Sequence, residues 1–121
     1  MNTTIWATIT VPGTHYWPDA HEGREYLAQE HRHLFHVRAE VAVGHDDRDI
    51  EFHDLAELLA NEARSLAYGS EGGLYSFGSR SCEMLARQLF DWLRDTGGPS
   101  LSVVSVEWSE DGEFGAIVRS S

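Results

Sequence analysis

The chain has no lysine, a single cysteine and three prolines in its 121 residues, and each scarcity excludes something. Without lysine there is no side-chain amine to form a Schiff base with a carbonyl substrate. All nine basic residues are arginine, which reads as a compositional bias of the genome more than as a mechanism. Against these nine stand 20 acidic residues, giving a formal charge of −11. That balance argues against nucleic acid as a partner, since phosphate binding needs a basic patch. Cys82 is alone and permits no internal disulfide, which fits a reducing interior. No stretch approaches ~18 apolar residues, so no membrane span is expected. The opening MNTTIWATITV carries no basic residue ahead of its short apolar stretch, unlike a signal peptide. A cytoplasmic protein without membrane contact is expected.

What is present is ordinary globular content, 41% hydrophobic and 11% aromatic, in a length that fits one domain over residues 1–121. A domain of this size is stable by only ~5–15 kcal/mol, so a bound metal or a subunit interface would weigh in the balance.

The histidines are unevenly distributed. All seven lie between residues 15 and 53. His31 and His33 are one residue apart and point the same way in an extended strand. His15 shares its parity with Ile5, Ala7, Ile9 and Val11, while His31 and His33 share theirs with Phe35, Val37, Ala39, Val41 and Val43. As strands, these segments would project three imidazoles from apolar faces. Neutral imidazole there is a good zinc ligand, and three leave a fourth position for water or substrate. The plain alternative is three unrelated polar residues near a loop.

Alternating apolar and threonine positions predict a strand over Thr4 to Thr14. Residues 16–30 read as an irregular crossing broken by Pro18 and Gly23. A second strand is expected from about His33 to Val43, then a charged turn from His45 to Asp49. Ile50 to Phe52 reads as a short strand or the start of a helix. Asp54 would cap a helix from Leu55 to about Tyr68, with Leu55, Leu58, Leu59, Ala63 and Leu66 at helical spacing. Residues 69–80, rich in glycine and serine, read as a flexible loop. Ser81 would cap a second helix to Asp95, stopped by Thr96-Gly97-Gly98-Pro99. Leu101 to Trp108 and Phe114 to Arg119 complete the chain as two strands, with Asp111-Gly112 as a hairpin signal. Trp6, Trp17, Trp92 and Trp108 are expected to serve packing. The predicted fold is α+β in the order ββααββ, a four-stranded antiparallel sheet with two helices on one face. Its two open edges invite pairing with other subunits.

That order, with His15 and His31-Arg32-His33, resembles the 6-pyruvoyltetrahydropterin synthase and 6-carboxytetrahydropterin synthase family, which has the tunnelling fold (T-fold). His31-Arg32-His33-Leu34-Phe35 is similar to the family's His-Gly-His-aromatic run, with arginine replacing glycine. Asp49-Ile50-Glu51-Phe52-His53-Asp54-Leu55 resembles its hydrophobic-Asp-Phe-x-x-Leu lead into the first helix. Ser81-Cys82-Glu83-Met84-Leu85-Ala86 resembles Thr-x-Glu-Asn-x-Ala at the second. Val104-Ser105-Val106-Glu107 resembles the Val-x-Val-x-Glu strand. The resemblance implies zinc on His15, His31 and His33, and a pterin ring held by Glu107. It also implies trimers or hexamers with active sites between subunits. Two departures bear on function. The family's catalytic cysteine precedes His-x-His, but Gly23 to Glu30 contains none. Its Asp-His pair after the first helix has no counterpart in Ser65 to Ser70.

Other residues carry two readings each. His53 and Asp54 are a relocated acid–base pair, or an exposed histidine beside a helix cap. His21 is a substitute base or a solvated loop residue. Glu107 grips a guanidine-like ring edge, as carboxylates grip arginine, or forms a salt bridge with an arginine such as Arg119. Glu83 is a second ligand contact, or an acid favoured by the helix dipole. Two functions are therefore expected. One is a zinc-dependent carbon–oxygen lyase acting on a reduced pterin such as dihydroneopterin triphosphate, in pterin or 7-deazaguanine (queuosine) synthesis. The other is a zinc-containing binding protein for a pterin- or purine-like molecule that has lost the reaction.

Overall fold

A computed structural model of the chain describes residues 2–96 and 101–121. Its elements are β1 (Thr3–His15), a 3-10 turn (Glu25–Ala28), β2 (His31–Val43), α1 (Phe52–Ser65), β3 (Gly69–Glu71), β4 (Leu74–Ser76), α2 (Cys82–Thr96), β5 (Ser102–Glu110) and β6 (Phe114–Arg119). The strands form one sheet in the order β3-β4-β1-β2-β5-β6. Neighbours run antiparallel except β1 and β4, which are parallel.

The α+β class and the two helices agree with the sequence, but the sheet has six strands and is mixed. The extra pair comes from the stretch expected to be a flexible loop. Gly72 and Gly73 take φ of +60° and +81° between the two three-residue strands. Positive φ at both central residues is the two-residue hairpin turn whose twist suits flanking strands, and only glycine adopts it freely. The hairpin then adds to the end of β1, with Gly13 opposite Tyr75. A Cβ on Gly13 would lie 2.8 Å from the Phe77 ring and 2.9 Å from the Tyr75 carbonyl, so this close approach requires glycine.

The long β1–β2 ladder pairs Ala7 with Ala39, Ile9 with Val37 and Val11 with Phe35, all on one face. On that face both helices pack, α1 through Leu55, Leu59 and Ala63 and α2 through Leu85, Leu89 and Leu93. The helix stripes recur every three or four residues, so each turn returns an apolar side chain to the sheet. Trp108 lies fully buried among Phe35 and Phe77. The other tryptophans depart from the packing expectation to different degrees. Trp92 packs partly buried against the core, Trp17 is 40% exposed and Trp6 is 54% exposed. Trp6 lies on the open face of the sheet, under the Arg38 guanidinium at 4.6 Å.

The first helix starts earlier than predicted, at Phe52, because Glu51 rather than Asp54 caps it. The Glu51 carboxylate accepts from the Asp54 N–H at 3.1 Å. Ser81 caps α2 as expected, accepting from the Met84 N–H at 3.2 Å. The glycines and proline expected to stop α2, Gly97 to Pro99, lie outside the described residues. Among the described residues no helix is long and apolar enough to cross a membrane.

Candidate metal centre

His15 ends β1 directly opposite His31, which begins β2, and Gly13 stands opposite His33. The register therefore stacks the three histidines at one end of the sheet, on the helix-covered face, just beyond Phe35. Ring centroids lie 4.7, 5.2 and 4.9 Å apart for the pairs His15–His31, His15–His33 and His31–His33. One ligand atom from each lies within 4.8 Å of the others.

Each imidazole is held through Nδ1. His15 Nδ1 lies 3.0 Å from the Arg80 carbonyl, His31 Nδ1 2.9 Å from the Gln29 carbonyl, and His33 Nδ1 2.8 Å from the Asp111 carboxylate. All three partners are acceptors, so Nδ1 carries the proton and Nε2 is left with a lone pair. This is the arrangement that orients metal-binding histidines. His33 Nε2 is buried without a hydrogen-bond partner. Burial holds His15 below its ordinary pKa, and the two neighbouring imidazoles add to this; Arg80 and Glu110 oppose it. Three neutral nitrogen donors with their lone pairs turned together suit zinc.

Three residues behind this geometry were not singled out from sequence. The Arg80 guanidinium donates to the carbonyls of Phe77 and Leu66 and to Gln88, and lies 4.3 Å over the Tyr68 ring. This buried clamp fixes the loop whose carbonyl orients His15. Asp111 binds His33 through one carboxylate oxygen and the Leu34 N–H through the other, at 2.8 Å each. The His33 bond holds the Asp111 carboxyl below the usual range, aided by the Leu34 N–H. The third is Glu110, whose Oε1 lies 3.0 Å from His15 Nε2 and whose Oε2 lies 3.7 Å from His33 Nε2.

Successive strand residues alternate faces, so Glu110 and Asp111 reach the same cluster only because Asp111 turns to φ +57°. A signal for Glu110 does exist in the sequence: Val106, Trp108 and Glu110 carry the hydrophobic-x-hydrophobic-x-Glu spacing.

Glu107 does not share the cavity beside the histidines, which corrects the expectation built on its parity with Leu101, Val103 and Ser105. The β2–β5 register slips between Glu40 and Val41, so that Val41 faces Val103 and Glu40 faces Ser105. This bulge at Val104 reverses the parity of everything after it. Val106 and Trp108 enter the core, and Glu107 stands on the open face opposite Arg38 and Ile117.

A cavity of about 790 Å³ opens over the histidines, lined among others by Trp17, Arg24, Tyr26, Cys82, Glu83 and Glu110. Glu83, in the first turn of α2, lines this cavity. His21 does not line it: the ring is exposed, bonded to the Glu22 carbonyl at 3.0 Å and edge-on to Trp17. His53 and Asp54 lie beyond the far end of β2, where His53 pairs with Glu51 at 2.9 Å in full exposure. They form no acid–base pair in the cavity. Cys82 does line the cavity, yet burial pushes its thiol up to about 12, and the Glu110 and Glu83 carboxylates reinforce the shift. It is a protonated thiol and not a ready nucleophile.

No protein-family model and no curated protein matches the sequence. Solved structures do match the fold. A Plasmodium vivax 6-pyruvoyltetrahydropterin synthase superimposes with a TM-score of 0.70 at 14% identity, over 99% of this chain and 98% of that one. That protein carries cysteine in place of a glutamate named as a catalytic residue. The Caenorhabditis elegans 6-pyruvoyltetrahydropterin synthase gives 0.66 at 15% identity, over 100% and 97% of the two chains. An uncharacterized Wolinella succinogenes protein gives 0.68 at 13%, over 100% and 99%. The chain has the 6-pyruvoyltetrahydropterin synthase-like T-fold.

Proposed function

We propose that this chain is a divergent zinc-dependent lyase of the pterin-synthase kind, acting on a reduced pterin such as dihydroneopterin triphosphate in pterin or queuosine synthesis. The observation that carries this reading is the convergence of three imidazoles, one ligand nitrogen from each within 4.8 Å of the others and each ring tied at Nδ1, in the lining of a 790 Å³ cavity in this fold. Zinc held by His15, His31 and His33 would polarise a substrate oxygen and make the neighbouring C–H more acidic.

The chain's own residues divide the remaining work. Glu83 is proposed to take the guanidine-like edge of the ring, two donors matching two carboxylate oxygens. Glu110, nearest the imidazoles, is proposed to accept the proton that the family's cysteine would otherwise accept. The Plasmodium vivax protein supports a carboxylate in catalysis on this fold. Trp17 and Tyr26 offer faces for the ring to stack on. Trimers or hexamers joined through the edge strands β3 and β6 belong to this reading, as does a cytoplasmic location.

A second reading keeps the zinc and the ring pocket but not the reaction. It is favoured by one observation, the single thiol held protonated beside two carboxylates. Metal analysis, mass spectrometry of co-purifying small molecules, and turnover of dihydroneopterin triphosphate separate the two. The lyase reading expects zinc, a pterin-like ligand and turnover about 10²–10⁴ below that of enzymes with the usual base, because displaced proton-transfer groups cost that much. Zinc and ligand without turnover would select the binding protein. Neither zinc nor affinity for pterins or guanine derivatives would end both readings.

A further inference from the structure

We infer that Glu110 is a fourth, displaceable ligand of the ion held by His15, His31 and His33, so that the site at rest is closed by a carboxylate rather than by water. This rests on the metal reading of the histidines but adds a residue and a state to it.

The argument begins with protons. Neutral histidine has one N–H, and in His15 the Arg80 carbonyl takes it at Nδ1. His15 Nε2 is then an acceptor, and it faces another acceptor, Glu110 Oε1, at 3.0 Å. In His33 the Asp111 carboxylate takes the Nδ1 proton, and Nε2 faces Glu110 Oε2 at 3.7 Å. In the neutral tautomers lone pairs face one another across these distances, an arrangement that a cation between them, a proton or a metal ion, relieves, and the metal is the one that draws in all three imidazoles at once.

Distance supports the same assignment. Two ligands at about 2.0–2.1 Å on a tetrahedral ion stand about 3.3–3.4 Å apart, and 3.0 and 3.7 Å bracket that spacing. A carboxylate oxygen completes a three-histidine set in the manner zinc accepts. Glu110 reaches the position because it faces inward opposite Phe35, in register with the ladder that carries His33. A substrate oxygen must displace the carboxylate to reach the ion, so Glu110 would gate access as well as bind.

The test uses the whole protein loaded with Co²⁺ alone, whose visible spectrum reports the ligand set, together with Zn²⁺ competition titrations. Wild type should bind one ion per chain. Glu110→Ala should lose at least about tenfold in affinity, on the scale that supporting residues of metal sites contribute. It should also show an altered Co²⁺ spectrum, which millimolar acetate restores by supplying the missing carboxylate. Glu110→Gln, which keeps the shape, should show the spectral change even if the alanine variant fails to fold. A wild-type spectrum and affinity in either variant would overturn the assignment. So would an affinity loss with no spectral change and no acetate rescue, which is the mark of a merely structural role. Absence of stoichiometric metal from wild type would instead remove the metal reading itself.

Discussion

Asp111 accepts the Nδ1 proton of His33 at 2.8 Å, and so ties the β5–β6 turn to a candidate metal ligand 78 residues away in sequence. The same carboxylate takes the Leu34 N–H, and the Asp111 N–H donates to the Leu34 carbonyl at 2.8 Å. A residue that looks like a hairpin turn in the sequence is therefore the anchor of the imidazole.

Asp111→Asn should test that anchor with little backbone cost, because asparagine tolerates the left-handed conformation of this position. The amide can still accept from Nδ1 but carries no charge. Zinc affinity should fall by about 10–100-fold, the usual loss when the partner of a ligating histidine is changed. Competition against a chromophoric chelator measures it, and an unchanged constant would show that His33 needs no carboxylate.

Purified protein should hold about one zinc per chain, and His31→Ala or His33→Ala should remove most of it. Elemental analysis decides this; stoichiometric zinc in a variant with His15, His31 and His33 all replaced by alanine would refute the assignment. Ligating imidazoles must be neutral, so acidification should release the metal along with proton uptake.

Arg80→Met should destabilise the fold. It removes the guanidinium donors from the Leu66 carbonyl and from Gln88, and leaves the Phe77 carbonyl only the long bond from the backbone N–H of residue 80 at 3.5 Å, at about 1–3 kcal/mol for a group left unsatisfied. The loop that presents the Arg80 carbonyl to His15 would also loosen, so zinc affinity should drop together with the denaturation midpoint. If stability changed by less than about 0.5 kcal/mol, the clamp would count for no more than an ordinary surface position.

His53 should titrate above its ordinary 6.5 and Glu51 below its ordinary 4.5, each because of the hydrogen bond to the other. The contribution of His53 to stability is complete below its unfolded pKa and fades as pH rises through the raised folded value. That of Glu51 is present above its unfolded pKa and is lost as pH falls through the depressed folded value. The pair thus acts between those two folded values. Both groups are solvated, so the effect belongs in an NMR titration rather than a melting curve. His53→Ala should return Glu51 toward 4.5 and leave zinc content unchanged; a loss of zinc would mean that His53 belongs to the site after all.

Local chemistry made much of this fold legible in the sequence. Thr4 to Thr14 alternates with period two, and the leucines of the two helices recur with the period of a helix, because one face of each meets the core. His-x-His on one strand and His15 on its neighbour were likewise readable, since parity within an unbroken strand survives folding. The hairpin at Gly72 and Gly73 left a signal too, although three-residue strands carry too little pattern to announce a sheet. The Glu51 cap was hidden by Asp54, three positions on, because aspartate is a strongly preferred capping residue and glutamate is not.

By itself, then, the sequence determined the class of the fold, the two helix faces and the three imidazoles. Which carboxylate stands beside them was decided only in three dimensions. One extra residue at Val104 turns Glu107 to the open face and Glu110 toward the histidines, and a bulge is set by the pairing of two strands, not by the residues of one. The left-handed turn at Asp111 and the Arg80 clamp have the same origin. Their distant partners, Leu34 and His33 for one and Leu66 and Gln88 for the other, are brought near by the packing of separate elements. Periodicity reports which face a residue takes within its own strand or helix. It carries no information about what another element will place opposite.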